Sequence, residues 1–276
     1  LGGKNPVVVS EQVAGRREPM RRAAARIAAA RLQNSGQACI NPDEVYVPSS
    51  AARLFVQDVF SAWGETVPEI IESGQMTTLI DEEAFERVVG LLEDAAAKGA
   101  QVIRAVSSDI AGEDAMRRDR IMPPVVVLGV TDEMDIDHEE VFGPVLAVHT
   151  YDDVAEVLDR LATRPAPLVA SWYGPDDDDF RAFVAHTRSG GVARNDWALT
   201  SSIPGMPFGG VGTSGMGRYH GRHGFEAFTH LRTVAGSNLP VSITRYTGPL
   251  VDRRVHEAIK QGIDGYARLL RLRLHL

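Results

Sequence analysis

The sequence contains one cysteine, Cys39, approached by the small and polar run Asn34-Ser35-Gly36-Gln37-Ala38. Glycine lets the backbone come close to a ligand, so a thiol placed here is reachable. The chemistry it offers is nucleophilic: a thiolate attacks an electrophilic carbon and holds the product as a covalent intermediate. A lone cysteine without further context more often reads as a small buried apolar residue. A second segment, Glu139-Glu140-Val141-Phe142-Gly143-Pro144-Val145, sets acids and an aromatic just before a Gly-Pro turn and a strand; on its own it also fits a charged loop covering a strand end. A third, Pro207 to Gly217, places five glycines in eleven residues. Its spacing does not give the G-x-x-x-x-G-K-[ST] phosphate loop, and no strand leads directly into it. It reads instead as a loop whose backbone folds tightly around a pocket.

These segments need a scaffold. Val7 to Val9 are β-branched, bounded by Pro6 and Ser10-Glu11, and predict a short buried strand. Met20, Ala24, Ile27 and Ala28 recur at helical spacing and Gly36 closes the segment, so Cys39 falls in the loop after a helix. Glu44 to Val47 predicts a strand, with Ser50 as the cap of a helix carrying Phe55, Val56, Val59 and Trp63. The clearest helix is Glu82 to Lys98, with Phe85, Val88, Val89, Leu92 and Ala96 on one face, acids in its first turn and Gly99 as its stop. Strands expected at 101–106, 125–128, 145–150, 168–173 and 191–193 alternate with helices expected at 154–161 and 180–187. Such alternation predicts a doubly wound α/β domain with a mostly parallel sheet. The acidic run Asp176 to Asp179 suits a helix N-terminus. The domain is expected to span 1–235, followed by a tail, 236–276. Within the tail, Val251 to Leu274 predicts an amphipathic helix that packs on its own protein, on another subunit or on a membrane surface.

Composition narrows the field. The chain has 276 residues, enough to bury a sizeable core, and a formal charge of −8. Acids outnumber bases, which argues against a nucleic-acid binder. One cysteine excludes an intramolecular disulfide and a cysteine-based zinc site, and no metal is expected. No apolar run reaches the roughly 18 residues of a membrane span, and a cytoplasmic protein is the default reading.

Taken in order, Leu1-Gly2-Gly3-Lys4, Gly36-Gln37-Ala38-Cys39, Glu140-Val141-Phe142-Gly143-Pro144 and Pro207-Phe208-Gly209-Gly210 resemble the best-known signatures of the aldehyde dehydrogenase superfamily. The resemblance runs from Leu1 to about Val234. Ser189-Gly190-Gly191-Val192, Asn195-Asp196 and the run Ser214 to Gly221 look most like the class 3 and coniferyl-aldehyde branch. What the resemblance implies is the C-terminal catalytic part of an enzyme that oxidises an aldehyde to a carboxylic acid with NAD or NADP. It implies Cys39 as the nucleophile, forming a thiohemiacetal whose oxyanion is held by backbone N–H groups including its own, and then a thioester that water hydrolyses. It implies Glu140 on the nicotinamide ribose, Phe142 beside that ring, and Gly2 and Gly3 as backbone close to the nicotinamide. Asn195 and Phe208 are implied near the substrate pocket. A homo-oligomer, a dimer by preference, is the implied assembly.

The departures from the family pattern also carry expectations. The family's general base is the glutamate immediately before Leu-Gly-Gly-Lys; that residue, the dinucleotide-binding domain and an oxyanion-hole asparagine fall outside the 276 residues. The 276 residues alone are therefore expected to lack appreciable dehydrogenase activity. Between Leu1 and Cys39 the chain is a few residues longer than the family usually has, around Gln12 to Glu18. Two other readings fit the same residues: a thiol esterase without hydride transfer, and a non-catalytic remnant that serves in assembly.

Overall fold

The computed structural model describes residues 2–64, 66–105, 113–238 and 253–274. The chain divides into two units, one ending at Thr229 and one beginning at His230. The first unit holds a seven-stranded sheet: β1 (Pro6–Val9), β2 (Glu44–Pro48), β3 (Gln101–Arg104), β4 (Val125–Leu128), β5 (Val145–Tyr151), β6 (Val169–Tyr173) and β7 (Gly191–Arg194). Their spatial order is β3-β4-β5-β2-β1-β6-β7, and every pairing is parallel except β3 with β4. The expected doubly wound, mostly parallel sheet is what forms.

Alternation along the central strands assigns the two faces. Val7 and Val9 of β1, with Val45 and Val47 of β2, meet Met20, Ala24, Ile27 and Ala28 of α2 (Arg17–Leu32) and Phe55 and Val59 of α3 (Ala52–Gly64). The short α1 (Glu11–Ala14) joins β1 to α2, and α4 (Val67–Glu72) follows α3. Val8, Tyr46 and Trp172 point to the other face, where α8 (Val154–Thr163) and α9 (Asp178–His186) cover them with Val157, Leu158, Leu161 and Phe183. On that side α5 (Glu82–Ala97) and the single turn α7 (Asp135–His138) close over β4 and β5. The helix α6 (Glu113–Asp119) precedes β4, and α10 (Leu199–Ser202) and α11 (Gly221–Ala227) follow β7. In the second unit, α12 (Arg253–Leu274) is the expected terminal helix; Val251 and Asp252 lie outside the described residues. No described helix is long and apolar enough to cross a membrane.

Local signals act largely as expected. Asp81 caps α5 through Ala84 N, and Gly99 (φ +97) stops it. Asp177, within the acidic run, caps α9 through Phe180 N. Three expectations are corrected. The buried stripe of α5 is Phe85, Val88, Leu91, Leu92 and Ala95, whereas Ala96 is exposed and Val89 half-buried. The stripe advances in steps of three, so the contact face is rotated from the one expected. Ser50 caps nothing, because a 3-10 turn over Ser49–Ala51 runs directly into α3. The third strand ends at Arg104; Val106 lies outside the described residues.

Candidate active site

The thiol loop begins where α2 ends. Asn34 (φ 53), Ser35 (φ 50) and Gly36 (φ 76) are successive left-handed residues and reverse the chain back toward the sheet. At Gly36 a Cβ would stand 2.1 Å from the Gly143 carbonyl oxygen; only glycine tolerates both that φ and that contact. The thiol loop is thus pressed directly against the Gly143-Pro144 turn. Two side chains tie it outward: Ser35 Oγ donates to Thr77 O (2.5 Å), and the Gln37 amide donates to Thr78 O (3.0 Å) and accepts from Ile80 N (3.0 Å). Asn41 N then donates to Ala38 O (2.9 Å), closing a turn with Cys39 at its first corner. Cys39 is exposed, and its backbone N–H has no acceptor among the described residues.

Asn5, a residue with no obvious motif, fixes that turn. Buried just before β1, its Nδ2 donates to both Cys39 O and Asn41 O (2.9 Å each), while its Oδ1 accepts from Val169 N (3.0 Å). One amide thereby joins the starts of β1, β2 and β6.

The Glu140 loop is held differently. Val141 N donates to Asp43 Oδ1 (3.2 Å), and the Arg87 guanidinium donates to the carbonyls of Glu140 and Val141. Asp43 is itself paired with Lys4 Nζ (2.7 Å) and with Arg31 (3.0 Å), both largely buried. A further charged set lies alongside: Arg160 NH2 donates to Asp137 (2.6 Å), Arg164 pairs with Asp137 and Glu44, and His149 stacks on Tyr46 with Nε2 3.5 Å from Glu44. Glu44, Asp137 and His149 bring three potential ligand atoms within 4.8 Å of one another. The guanidinium groups of Arg160 and Arg164 already balance the two carboxylates, which leaves no uncompensated charge to draw a divalent cation. Burial works to raise both carboxyls, but His149, Lys4 and Arg164 outweigh it at Glu44, and Arg164 and Arg160 outweigh it at Asp137; both sit below the usual carboxylate range.

The structure brings most of the residues singled out by sequence together. Gly3 N donates to Glu140 Oε2 (3.0 Å), and a Cβ on Gly2 would meet that carboxylate at 2.6 Å. Burial, opposed by the Gly3 N–H and aided by Asp43, pushes the Glu140 carboxyl up. Its Oε1 has no protein partner among the described residues and faces a cavity of about 500 Å³ shared with Gly3, Lys4, Arg164, Arg188 and Thr213. A half-buried carboxylate with one oxygen unpaired beside a glycine cradle fits the hydroxyl groups of a ribose. Phe142 (φ 46) stays 38% exposed, anchored by the fully buried Val141 beside it. Phe208 is buried against Leu168, Val169 and Ala193, with Ile40, the neighbour of Cys39, packed on the same cluster. It exchanges backbone hydrogen bonds with Tyr219 (3.0 and 2.8 Å). The glycine-rich loop is close-packed backbone: a Cβ on Gly209 would meet Gly217 O at 2.2 Å, and one on Gly210 would meet Ser214 O at 2.1 Å.

Asn195 stands apart from this group. It follows β7 with φ 59, and its amide is used at both ends by Gly174, accepting from the N–H (2.9 Å) and donating to the carbonyl (3.0 Å). The thiol loop gathers at the amino ends of β1, β2, β5 and β6, whereas Asn195 lies past the carboxyl end of β7, roughly 13 Å away along a four-residue strand. The ties that sequence reasoning missed are Asn5, Asp43, Lys4, Arg31 and Arg87. Arg31 alone left a signal: it continues the Ala24, Ile27, Ala28 stripe of α2, and a charge on a buried stripe requires a partner.

A profile of the aldehyde dehydrogenase family matches residues 1–234. A probable coniferyl aldehyde dehydrogenase of Caulobacter vibrioides is 38% identical over 235 residues, covering 85% of this chain and 47% of that protein. A dimeric NADP-preferring aldehyde dehydrogenase of Bos taurus is 34% identical over 212 residues, covering 75% of this chain and 82% of that protein. Among solved structures, a substrate-bound AldH of Staphylococcus aureus superposes with a TM-score of 0.73 at 28% identity, over 95% of this chain and 54% of that one. The chain spans about half the length of the coniferyl aldehyde dehydrogenases it matches.

Proposed function

The chain belongs to the aldehyde dehydrogenase family, and from that premise we propose that it supplies the catalytic half of an enzyme oxidising an aldehyde to a carboxylic acid. The observation that carries this reading is the exposed Cys39 at the corner of a turn, its own N–H free, with its loop pressed on the turn that carries Glu140 and Phe142. The Cys39 thiolate forms the C–S bond with the aldehyde carbon, and the carbonyl oxygen, now an oxyanion, takes the Cys39 N–H as a hydrogen-bond donor. Asn5 positions that donor by fixing the carbonyl on the other side of Cys39. Glu140, with one oxygen on Gly3 N and the other free, orients a ribose by its hydroxyls, and Phe142 stands beside it. When bound there, NAD or NADP supplies the hydride acceptor. Phe208 lines the acyl side through its contact with Ile40, while Asn195 holds the Gly174 turn at the opposite ends of the strands. A homodimer is part of the reading.

The test combines mass and rate. Iodoacetamide under native conditions should add one adduct, lost in Cys39→Ser, and the same substitution should abolish NAD(P)H formation from benzaldehyde or a cinnamyl aldehyde in the dehydrogenase that contains this chain. Glu140→Gln should slow that turnover with little effect on folding, because it positions a ring and fills no core. A native fold without an adduct would make Cys39 structural, and turnover unchanged in Cys39→Ser would overturn the covalent route. Unchanged turnover and cofactor affinity in Glu140→Gln would reassign the Glu140 loop to a structural role.

A further inference from the structure

The helices that follow β1 and β6 leave the sheet on opposite sides. α2 covers the face carrying Val7, Val9 and Tyr173, and α9 covers the face carrying Val8 and Trp172. Since β1 and β6 are neighbours, their carboxyl ends open a crevice between the diverging connections. In open α/β sheets this topological switch point is where ligands bind. The thiol loop is at the amino ends of the strands, so it leaves the crevice unused.

A cavity of about 520 Å³ occupies that crevice. Gln12, Val13 and Arg16 reach it from the β1 side, Tyr173, Gly174 and Pro175 from β6, Arg194 and Asn195 from β7, and Arg22 and Arg26 from α2. Among the described residues four arginines line it and no acid does, in a chain whose formal charge is −8. Two of the four are committed: Arg26 donates to Asn195 O, and Arg194 donates to Gly174 O (3.2 Å) while lying over the Phe180 ring. The Arg16 and Arg22 side chains have no hydrogen-bond or ion-pair partner among the described residues; the nearby acids Asp58 and Glu18 are taken by Arg17 and Arg21. The Tyr173 side chain is almost wholly buried, yet its hydroxyl has no partner among the described residues. A buried hydroxyl without a partner is costly, and this one belongs to a residue lining the cavity. The first turn of α2 also points here, with no side chain capping it.

We propose that this switch-point crevice binds the oxyanion group, phosphate or carboxylate, of a small molecule, with Arg16 and Arg22 as the free guanidinium donors above the buried Tyr173 Oη. Guanidinium forks match the oxygens of both groups. Burial pushes the Tyr173 hydroxyl well above its ordinary value, with Asp196 adding to it, so the hydroxyl keeps its proton and donates. The site is distinct from the thiol, so occupancy is read by binding and needs no turnover.

The experiment is calorimetric titration of the chain with inorganic phosphate and, separately, with succinate, at ionic strength fixed by sodium chloride. Saturable binding of at least one is expected, and the tighter of the two identifies the group. Arg16→Gln and Arg22→Gln, both at exposed and unpartnered positions, should each weaken binding roughly tenfold, and Tyr173→Phe should weaken it less while circular dichroism stays unchanged. Binding of neither anion, or binding equal in the arginine variants and the wild type, would overturn the proposal.

Discussion

The two loops of the candidate site touch at Gly36 and Gly143, yet they are fixed by opposite means. The thiol loop is held by neutral groups: the amides of Asn5 and Gln37 and the hydroxyl of Ser35. The Glu140 loop rests on charge, with Arg87 on its carbonyls, the Lys4-Asp43-Arg31 set beneath, and the Glu44-Asp137-Arg160-Arg164 set alongside. Neutral ties position a nucleophile without placing a fixed charge that would compete with the oxyanion formed beside it. A loop that must orient a polar ligand through one carboxylate gains from a stiff ionic base, since buried ion pairs hold geometry at the cost of desolvation.

The hardest way to break that contrast is Asp43→Ala. It leaves Arg31 buried without its carboxylate and removes the acceptor for Val141 N, so a loss of about 3–5 kcal/mol is expected, read by urea unfolding through Trp63 and Trp172. A loss under about 1 kcal/mol would show that the ionic base is not what holds the Glu140 loop. Asn5→Ala comes next. Two carbonyls and one N–H lose their partner, which predicts about 2–3 kcal/mol together with a changed rate of Cys39 alkylation in the folded protein. Stability lost with the alkylation rate unaltered would separate the fold from the placement of the thiol. The smallest effect sharpens the comparison through pH. The Asp137 and Glu44 carboxyls sit below their ordinary range when folded, so the stability they contribute is present above the unfolded carboxylate pKa of ~4 and is lost as pH falls through their lower folded values. Glu140 is shifted upward and has the opposite sign, gaining stability as it protonates. Between pH 5 and about 3 the melting temperature should fall, and the fall should be weaker in Asp137→Asn than in Gln37→Ala, whose neutral tie has no proton to gain.

Much of this was legible beforehand. The succession of strands and helices along the chain and the helix before Cys39 follow from residue type and spacing, because each is a local property. Gly36 reads in sequence as allowing close approach to a ligand, and its approach is to the Gly143 carbonyl, a contact across the chain. What could not be read is where distant segments meet. Nothing near Asn5 announces that its amide reaches Cys39 and Val169, and nothing near Asn195 says that its amide is spent on Gly174. The stripe of α5 was misplaced because Leu91, Leu92, Ala95 and Ala96 are all apolar, and only the packing partner decides which of them turn inward. The end of the sheet that carries the thiol is also invisible in a periodicity, and the switch-point rule taken alone points to the other end.

The Asn5 amide has a consequence in time as well as in space. Its contacts reach 34 residues to Cys39 and 164 to Val169, and closing loops of that length is slow compared with forming a helix. The helix before Cys39 can form early from its own sequence, but the corner on which the thiol sits waits for β6 to dock beside β1. The placement of the thiol is thus tied to a strand that lies more than a hundred residues further along the chain.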